Sequence, residues 1–250
     1  MSQIPSLMEM LKVGAHFGHK KSKRDPRMQP YIYTTRGDIN IIDLNQTIES
    51  LERAAVVMKK MGQDKKTVLF VGTKKQAQKS VQKYAIEAGM PYIISRWIGG
   101  TFTNFQVFRK NIKKYKDLKE KMAKGEFDKY TKKERLMFQK EIQRLDKMVG
   151  GLVTLEKLPD AVFVVDTKKD NIAVNEAVKM NIPVMAICDT NSNPRNINWI
   201  IPANDDAVKT IDKVTELVAD AIIDGKENPV LVENKEVEKA QVGEKKKSDK

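Results

Sequence analysis

His16 and His19 stand three residues apart in a stretch crowded with cations. Phe17 lies between them, and Lys20, Lys21, Lys23, Arg24 and Arg27 follow. On a helix the two imidazoles would share a face and could bind one metal ion. No cysteine is close by, and two histidines alone make a poor zinc site. Imidazole and phenyl rings followed by lysines also suit RNA, through stacking and phosphate contact. A purely structural role is the third reading. Farther on, Val71-Gly-Thr-Lys-Lys75 follows an apolar run and opens a helical pattern. Amides at a helix start attract phosphate, and Lys74 and Lys75 add charge. The spacing matches neither the P-loop nor the Gly-x-Gly-x-x-Gly fingerprint. An RNA phosphate contact or a plain connection therefore explains it better than a nucleotide site does. Asp189 ends one apolar run, and Asp205 and Asp206 follow another. Ligands of open α/β sheets gather at the carboxyl ends of strands. Three carboxylates there suit a divalent cation bound through oxygen. Simple capping of the next helix by Asp205 and Asp206 is the competing expectation. Arg96-Trp-Ile-Gly-Gly-Thr-Phe-Thr-Asn-Phe105 mixes a cation, aromatics and two glycines. It suits contact with an RNA backbone or a partner protein, and equally a buried hinge. Cys188 closes an apolar run and reads as an inert core thiol. No Gly-x-Ser-x-Gly elbow is present.

These residues need a frame, and the apolar pattern supplies one. Thr67–Val71, Tyr92–Ile94, Ala161–Val165, Pro183–Cys188 and Trp199–Ile201 are short apolar runs that fit strands covered on both faces. Helical patterns separate them, over 45–62 (capped by Asn45 and ended by Gly62), 74–88, 170–180 and 205–223. Strands alternating with helices predict an α/β fold with a doubly wound parallel sheet. Ahead of it, Tyr31–Asp43 reads as two short strands about an Arg36-Gly37-Asp38 turn. One segment breaks the alternation. Phe105, Phe108, Ile112, Tyr115, Leu118 and Met122 step by three or four, and so do Leu136, Phe138, Ile142, Leu145 and Val149. This predicts two antiparallel helices projecting from the body as an inserted hairpin. Arg109, Lys110, Lys113 and Lys114 lie at its root.

Composition narrows the function. The chain has 250 residues, with 46 Lys+Arg against 33 Asp+Glu and a formal net charge of +13. Such an excess favours polyanionic partners and steers them electrostatically. Cys188 is the single cysteine, which excludes an internal disulfide framework and suits a reducing compartment. No apolar run reaches the length of a membrane span, and no signal-peptide pattern opens the chain, so the expectation is a cytoplasmic protein without a membrane partner.

Ordered motifs then carry a resemblance. They are Gly14-Ala-His-Phe-Gly-His19, Met28-Gln-Pro-Tyr-Ile32, Ile41-Ile-Asp-Leu44, Leu69-Phe-Val-Gly-Thr-Lys-Lys-Gln-Ala77 and Gly89-Met-Pro-Tyr92. Arg96-Trp-Ile-Gly-Gly100 with Thr103-Asn-Phe105, Leu158-Pro-Asp-Ala161 with Val164-Val-Asp166, Asp189-Thr-Asn191 and Ile201-Pro-Ala-Asn-Asp-Asp-Ala207 complete the set. In this order, over about residues 7–225, the chain resembles the bacterial small-subunit ribosomal protein S-two family. The resemblance implies a flavodoxin-like sheet with an inserted coiled-coil hairpin. It implies a structural, non-catalytic constituent of the small ribosomal subunit that contacts its RNA and neighbouring proteins and helps recruit the large protein S-one. RNA-contacting candidates are His16, Phe17, His19, Lys20, Lys21, Lys23, Arg24, Arg27, Lys74, Lys75, Arg96, Arg109, Lys110, Lys113 and Lys114. Asp189, Asp205 and Asp206 are the candidates for a cation, the only cofactor expected. The organisation expected is a basic N-terminal segment with a short β-ribbon (1–44), an α/β domain (45–104 and 150–225), the hairpin (105–149) and a flexible charged tail (226–250). Two departures stand out: Arg195 follows Pro194 where the family usually has an acid, and Ala203 replaces a glycine. Arg195 adds positive charge near the aspartates, and alanine tolerates positive φ poorly. The competing function is a metal-dependent nucleotide or phosphate-ester enzyme using Gly72–Lys75 and the three aspartates.

Overall fold

The structure is a computed structural model that describes residues 4–228. It opens with α1 (Leu7–Lys12), whose Ser6 cap and Glu9 side chain satisfy each other's backbone N–H groups. Strands β1 (Phe17–Lys20), β2 (Ile32–Arg36) and β3 (Ile39–Ile42) form an antiparallel sheet in the order β1-β3-β2. Gly37 and Asp38 both take positive φ, +54° and +63°, as the tightest hairpin turn demands. β1 was not apparent in the sequence. Its chain is extended, so the helical spacing proposed for His16 and His19 does not occur.

The main body follows. Helix α2 (Leu44–Gln63) is capped by Asp43, whose Oδ1 accepts from the Asn45 N–H at 3.0 Å, rather than by Asn45 itself. Next come β4 (Val68–Val71), α3 (Gln78–Glu87), β5 (Tyr92–Ile93), α4 (Phe105–Ala123) and α5 (Lys132–Val149). The chain then alternates through β6 (Ala161–Val164), α6 (Asn171–Lys179), β7 (Val184–Cys188), β8 (Trp199–Pro202) and α7 (Val208–Glu227). The expected charged tail over 226–250 therefore begins inside α7, and from residue 229 on it lies outside the described residues.

The five strands β5-β4-β6-β7-β8 pair in parallel throughout. Counted along the chain, their order is 2-1-3-4-5, the flavodoxin-like order, and it reverses between β4 and β6. Alternate residues feed two cores. Phe70, Phe163, Met185 and Ile187 face α2, α3 and α7, and the rings of Phe70 and Phe163 meet edge-on at 5.4 Å. Leu69, Val71, Val162, Val164 and Ala186 face α6 and the root of the α4–α5 pair. Burial on both faces explains why these strands read as unbroken apolar runs. Helices α4 and α5 run antiparallel: Tyr115 bonds Asp146 near the body, and Phe127 stacks on Phe138 at the far end, with ring centroids 4.5 Å apart.

Gly62 does not end α2. It lies within the helix, where α2 crosses α7 at backbone contact. A Cβ on Gly62 would stand 2.3 Å from the Ile222 carbonyl oxygen, and one on Gly225 would stand 2.1 Å from that of Lys59. Gly225→Ala is therefore expected to force the helices apart and to cost about 1–3 kcal/mol, read as a lower urea midpoint. An unchanged midpoint would show that the crossing tolerates a methyl group. At Ala203 no such conflict arises. The described non-glycine residues with positive φ are Asp38, Lys65 and Asn181, so Ala203 fits its loop without strain.

Candidate functional site

The carboxyl ends of the sheet bring together residues that are remote in sequence. After β4 the chain presents Gly72, Thr73 and Lys74; after β6, Asp166; after β7, Asp189 and Thr190; after β8, Asn204, Asp205 and Asp206. This is where the strand order reverses, the usual ligand crevice of such sheets. Here the protein's own side chains occupy it. Lys74 Nζ lies 2.6 Å from Asp206 Oδ1, 2.7 Å from Asp205 Oδ1 and 3.3 Å from Asp166 Oδ2. Thr73 donates its hydroxyl to Asp170 at 2.8 Å. The loop expected to meet phosphate is thus turned inward. Lys74 is neutralised within the fold, while Lys75 alone of the two lysines is exposed.

His19 closes the cluster from above. Its Nδ1 lies 3.1 Å from Asp189 Oδ2 and its Nε2 lies 3.4 Å from Asp206 Oδ2. β1 is held in place by the Thr190 hydroxyl, which accepts from the His19 N–H at 2.9 Å, and by Gly18, where a Cβ would fall 2.6 Å from the Thr190 methyl. Four carboxylates therefore face one ammonium and one imidazole. Burial, reinforced by the charges of Asp166 and Asp189, pushes Asp205 up to about 7. Contact with Asp189 raises His19, against the opposing effect of burial. Burial pulls Lys74 down, but the bonds to Asp205 and Asp206 outweigh it and raise it overall. Asp189 is fully buried, and the His19 imidazole is the ionisable partner of its Oδ2. His19, Asp205 and Asp206 each bring a ligand atom within 4.8 Å of the others.

Several expectations change here. Asp205 and Asp206 do not cap α7. Its cap is Ala207, and Asn204 Oδ1 accepts from the Asp206 and Ala207 N–H groups at 2.8 and 3.3 Å instead. Arg195 is exposed and forms no ion pair with the aspartates among the described residues. His16 does not join His19; its ring packs on Phe17, with centroids 4.0 Å apart, and burial lowers its pKa.

The remaining cations face outward. Lys20, Lys21, Lys23 and Arg27 are exposed along the N-terminal segment, while Arg24 is half-buried. Phe17 is half-exposed beside them, and Tyr33 is exposed on β2. Arg96, Arg109, Lys110 and Lys113 are exposed at the root of α4, and Lys114 pairs with Glu141 at 2.8 Å. Sequence reasoning missed Asp166, which completes the cage around Lys74, and Glu176 on α6. The Glu176 carboxylate is buried and accepts from the N–H groups of Gly100 (2.7 Å), Phe102 (2.9 Å) and Thr103 (3.2 Å). A glutamate in the apolar stripe Ala173, Val174, Ala177 was the signal for it.

These features describe a flavodoxin-type α/β body whose ligand crevice is filled from within and whose free cations lie on appendages. A family model, Ribosomal protein S2, matches residues 10–225, and the chain belongs to that family. Membership makes it a structural protein of the small ribosomal subunit, associated with ribosomal RNA and other ribosomal proteins. Neither the match nor the geometry supports the phosphate-ester enzyme. Among the described residues, no helix is long and apolar enough to cross a membrane.

Proposed function

We propose that this protein docks directly on small-subunit ribosomal RNA in the cytoplasm, through its N-terminal segment and the α4–α5 pair acting as a coiled-coil arm. The carrying observation is the exposure of Lys20, Lys21, Lys23 and Arg27, with Asp25 the one acid among them. Each lysine or arginine that meets a phosphate releases a counterion, so affinity falls steeply with salt. Phe17 and Tyr33 offer stacking surfaces beside these charges. Recruitment of the large protein S-one is supported by family membership and by the exposed apolar side chains of Leu7, Met8, Leu11 and Phe17. The test is gradient sedimentation of the tagged chain from lysate, with and without RNase, at two salt concentrations. Co-migration with small subunits that RNase abolishes is expected. A lone light peak at low salt would overturn the reading.

A second reading concerns the candidate cation. Of the three aspartates, Asp205 and Asp206 join His19 in offering oxygen and imidazole donors that a divalent ion accepts, and Asp189 touches the same imidazole at 3.1 Å. The favouring observation is that four carboxylates face one ammonium and one imidazole in this cluster, an excess of negative groups. Elemental analysis of the purified chain is expected to find about one ion per chain, lost in Asp189→Asn. Equal metal content in both proteins would exclude Asp189 as a ligand.

A further inference from the structure

Glu176 lies on the buried face of α6, far in sequence from the loop that it holds. Its Oε1 accepts from the Gly100 N–H at 2.7 Å and the Trp97 indole N–H at 3.4 Å. Its Oε2 accepts from the Phe102 N–H at 2.9 Å, the Thr103 N–H at 3.2 Å and the Thr103 hydroxyl at 3.3 Å. Burial alone would raise this carboxyl, yet the three backbone N–H bonds more than offset it and hold the pKa below the usual range. Glu176 is therefore ionised at neutral pH. Among the described residues it has no cationic partner. The loop treats it as a concave arrangement of amides treats a bound anion.

That loop is the root of the α4–α5 pair. Arg96 stands exposed at its start, and Asn104 at its end is the N-cap of α4. Trp97 and Phe102 meet edge-on at 4.9 Å and share a core with Phe108 and Ile112. On the outer side of the same turns of α4, Arg109 and Lys113 are four residues apart and so share a face. The direction in which α4 leaves the body thus follows from how this loop is seated, and the carboxylate of Glu176 is the polar group that seats it.

We infer that Glu176 is a positioning residue: by gathering the amides of the 97–103 loop it aims Arg96, Arg109 and Lys113 at the RNA backbone without touching RNA itself. This rests on the RNA-docking reading above. A fixed presentation of cations lets several phosphates be met at once, because no ordering of the loop is needed on binding. In Glu176→Gln the shape remains, but one acceptor becomes an NH2 that points at N–H donors.

The experiment is binding of the full chain to protein-free small-subunit ribosomal RNA over a salt series, at a temperature where circular dichroism shows wild type and variant equally folded. The salt slope reports how many phosphates are met, about 0.7–0.9 per contact. A merely structural role would lower thermal stability and leave that slope alone. Glu176→Gln is expected to weaken binding about tenfold and to flatten the slope by about one to two contacts. Thr103→Val, which removes one hydroxyl donor to the carboxylate, is expected to shift both in the same direction by less, and it carries the test should Glu176→Gln fail to fold. Wild-type binding with an unchanged slope in the folded variants would overturn the positioning role. Absence of salt-dependent binding by the wild type would instead overturn the RNA reading, and the positioning role with it.

Discussion

Replacing Lys20, Lys21, Lys23 and Arg27 together by glutamine is expected to weaken binding to the small subunit's RNA about a hundredfold at low salt, with the salt slope falling by about three. All four side chains are exposed. Lys21 to Lys23 form a single helical turn between β1 and the Asp25-capped turn that begins at Pro26. Their charges are therefore presented on a braced backbone rather than on a loose arm. Stability should change little, because substitutions at exposed positions usually stay within about 0.5 kcal/mol and the one ion pair lost, Arg27 with Asp25 at 3.8 Å, lies at the surface. Nucleic-acid binding measured at several salt concentrations separates the outcomes. A weaker affinity with the same slope would mean that the four cations do not meet phosphate, and the docking surface would have to be sought on α4 and α5 alone.

Lys74→Met is expected to be the most destabilising single substitution at the carboxyl ends of the strands. It removes the one ammonium shared by Asp166, Asp205 and Asp206, of which Asp166 and Asp205 are buried. Stripping one partner from a buried ion pair costs about 3–5 kcal/mol, since the opposite charge stays behind unpaired. The pH dependence has a definite sign. Asp205 already sits at about 7, well above the range of an unfolded aspartate. A group raised in this way favours the fold fully below its unfolded pKa, and that contribution is lost as pH rises through 7. Without Lys74 only the His19 imidazole opposes this rise, so the deficit should shrink toward pH 5 and widen toward pH 8. Urea titrations of wild type and variant in chelator at the two pH values provide the check. A deficit that grows on acidification would mean that the carboxylates are not the uncompensated groups.

How much of this was visible in the chain depends on where the information lay. Val68–Val71, Ala161–Val164 and Val184–Cys188 declared themselves because a strand buried on both faces must be apolar at every position. The α4–α5 pair was legible through its three-and-four spacing. β1 was not, because Phe17-Gly18-His19-Lys20 has no alternation. It is extended because β3 pairs with it and Thr190 presses on Gly18. Asp189, Asp205 and Asp206 could be suspected from their places after apolar runs. Their union with Lys74, Asp166 and His19 could not, since it needs the spatial order of four strands. Asp205 and Asp206 looked like helix caps because local chemistry permits it; in the structure Asn204 braces the turn ahead of α7, and the two aspartates face the cluster.

The seat of β1 has a consequence in time. The exposed cations Lys20, Lys21 and Lys23 stand at the end of that strand and in the turn that follows it. Besides β3, two of its holding groups come far later: Thr190 lies 171 residues beyond His19, and Asn204, whose side-chain amide donates to the Gly14 carbonyl, lies 190 residues beyond Gly14. Contacts so remote along the chain form slowly and only after the intervening loop is closed. Pairing with β3 is local, whereas these two holds close last along the chain. A chain truncated before β7 keeps those N-terminal lysines and the pairing of β1 with β3 but lacks Thr190 and Asn204, so the complete seat of β1 needs the far end of the sheet.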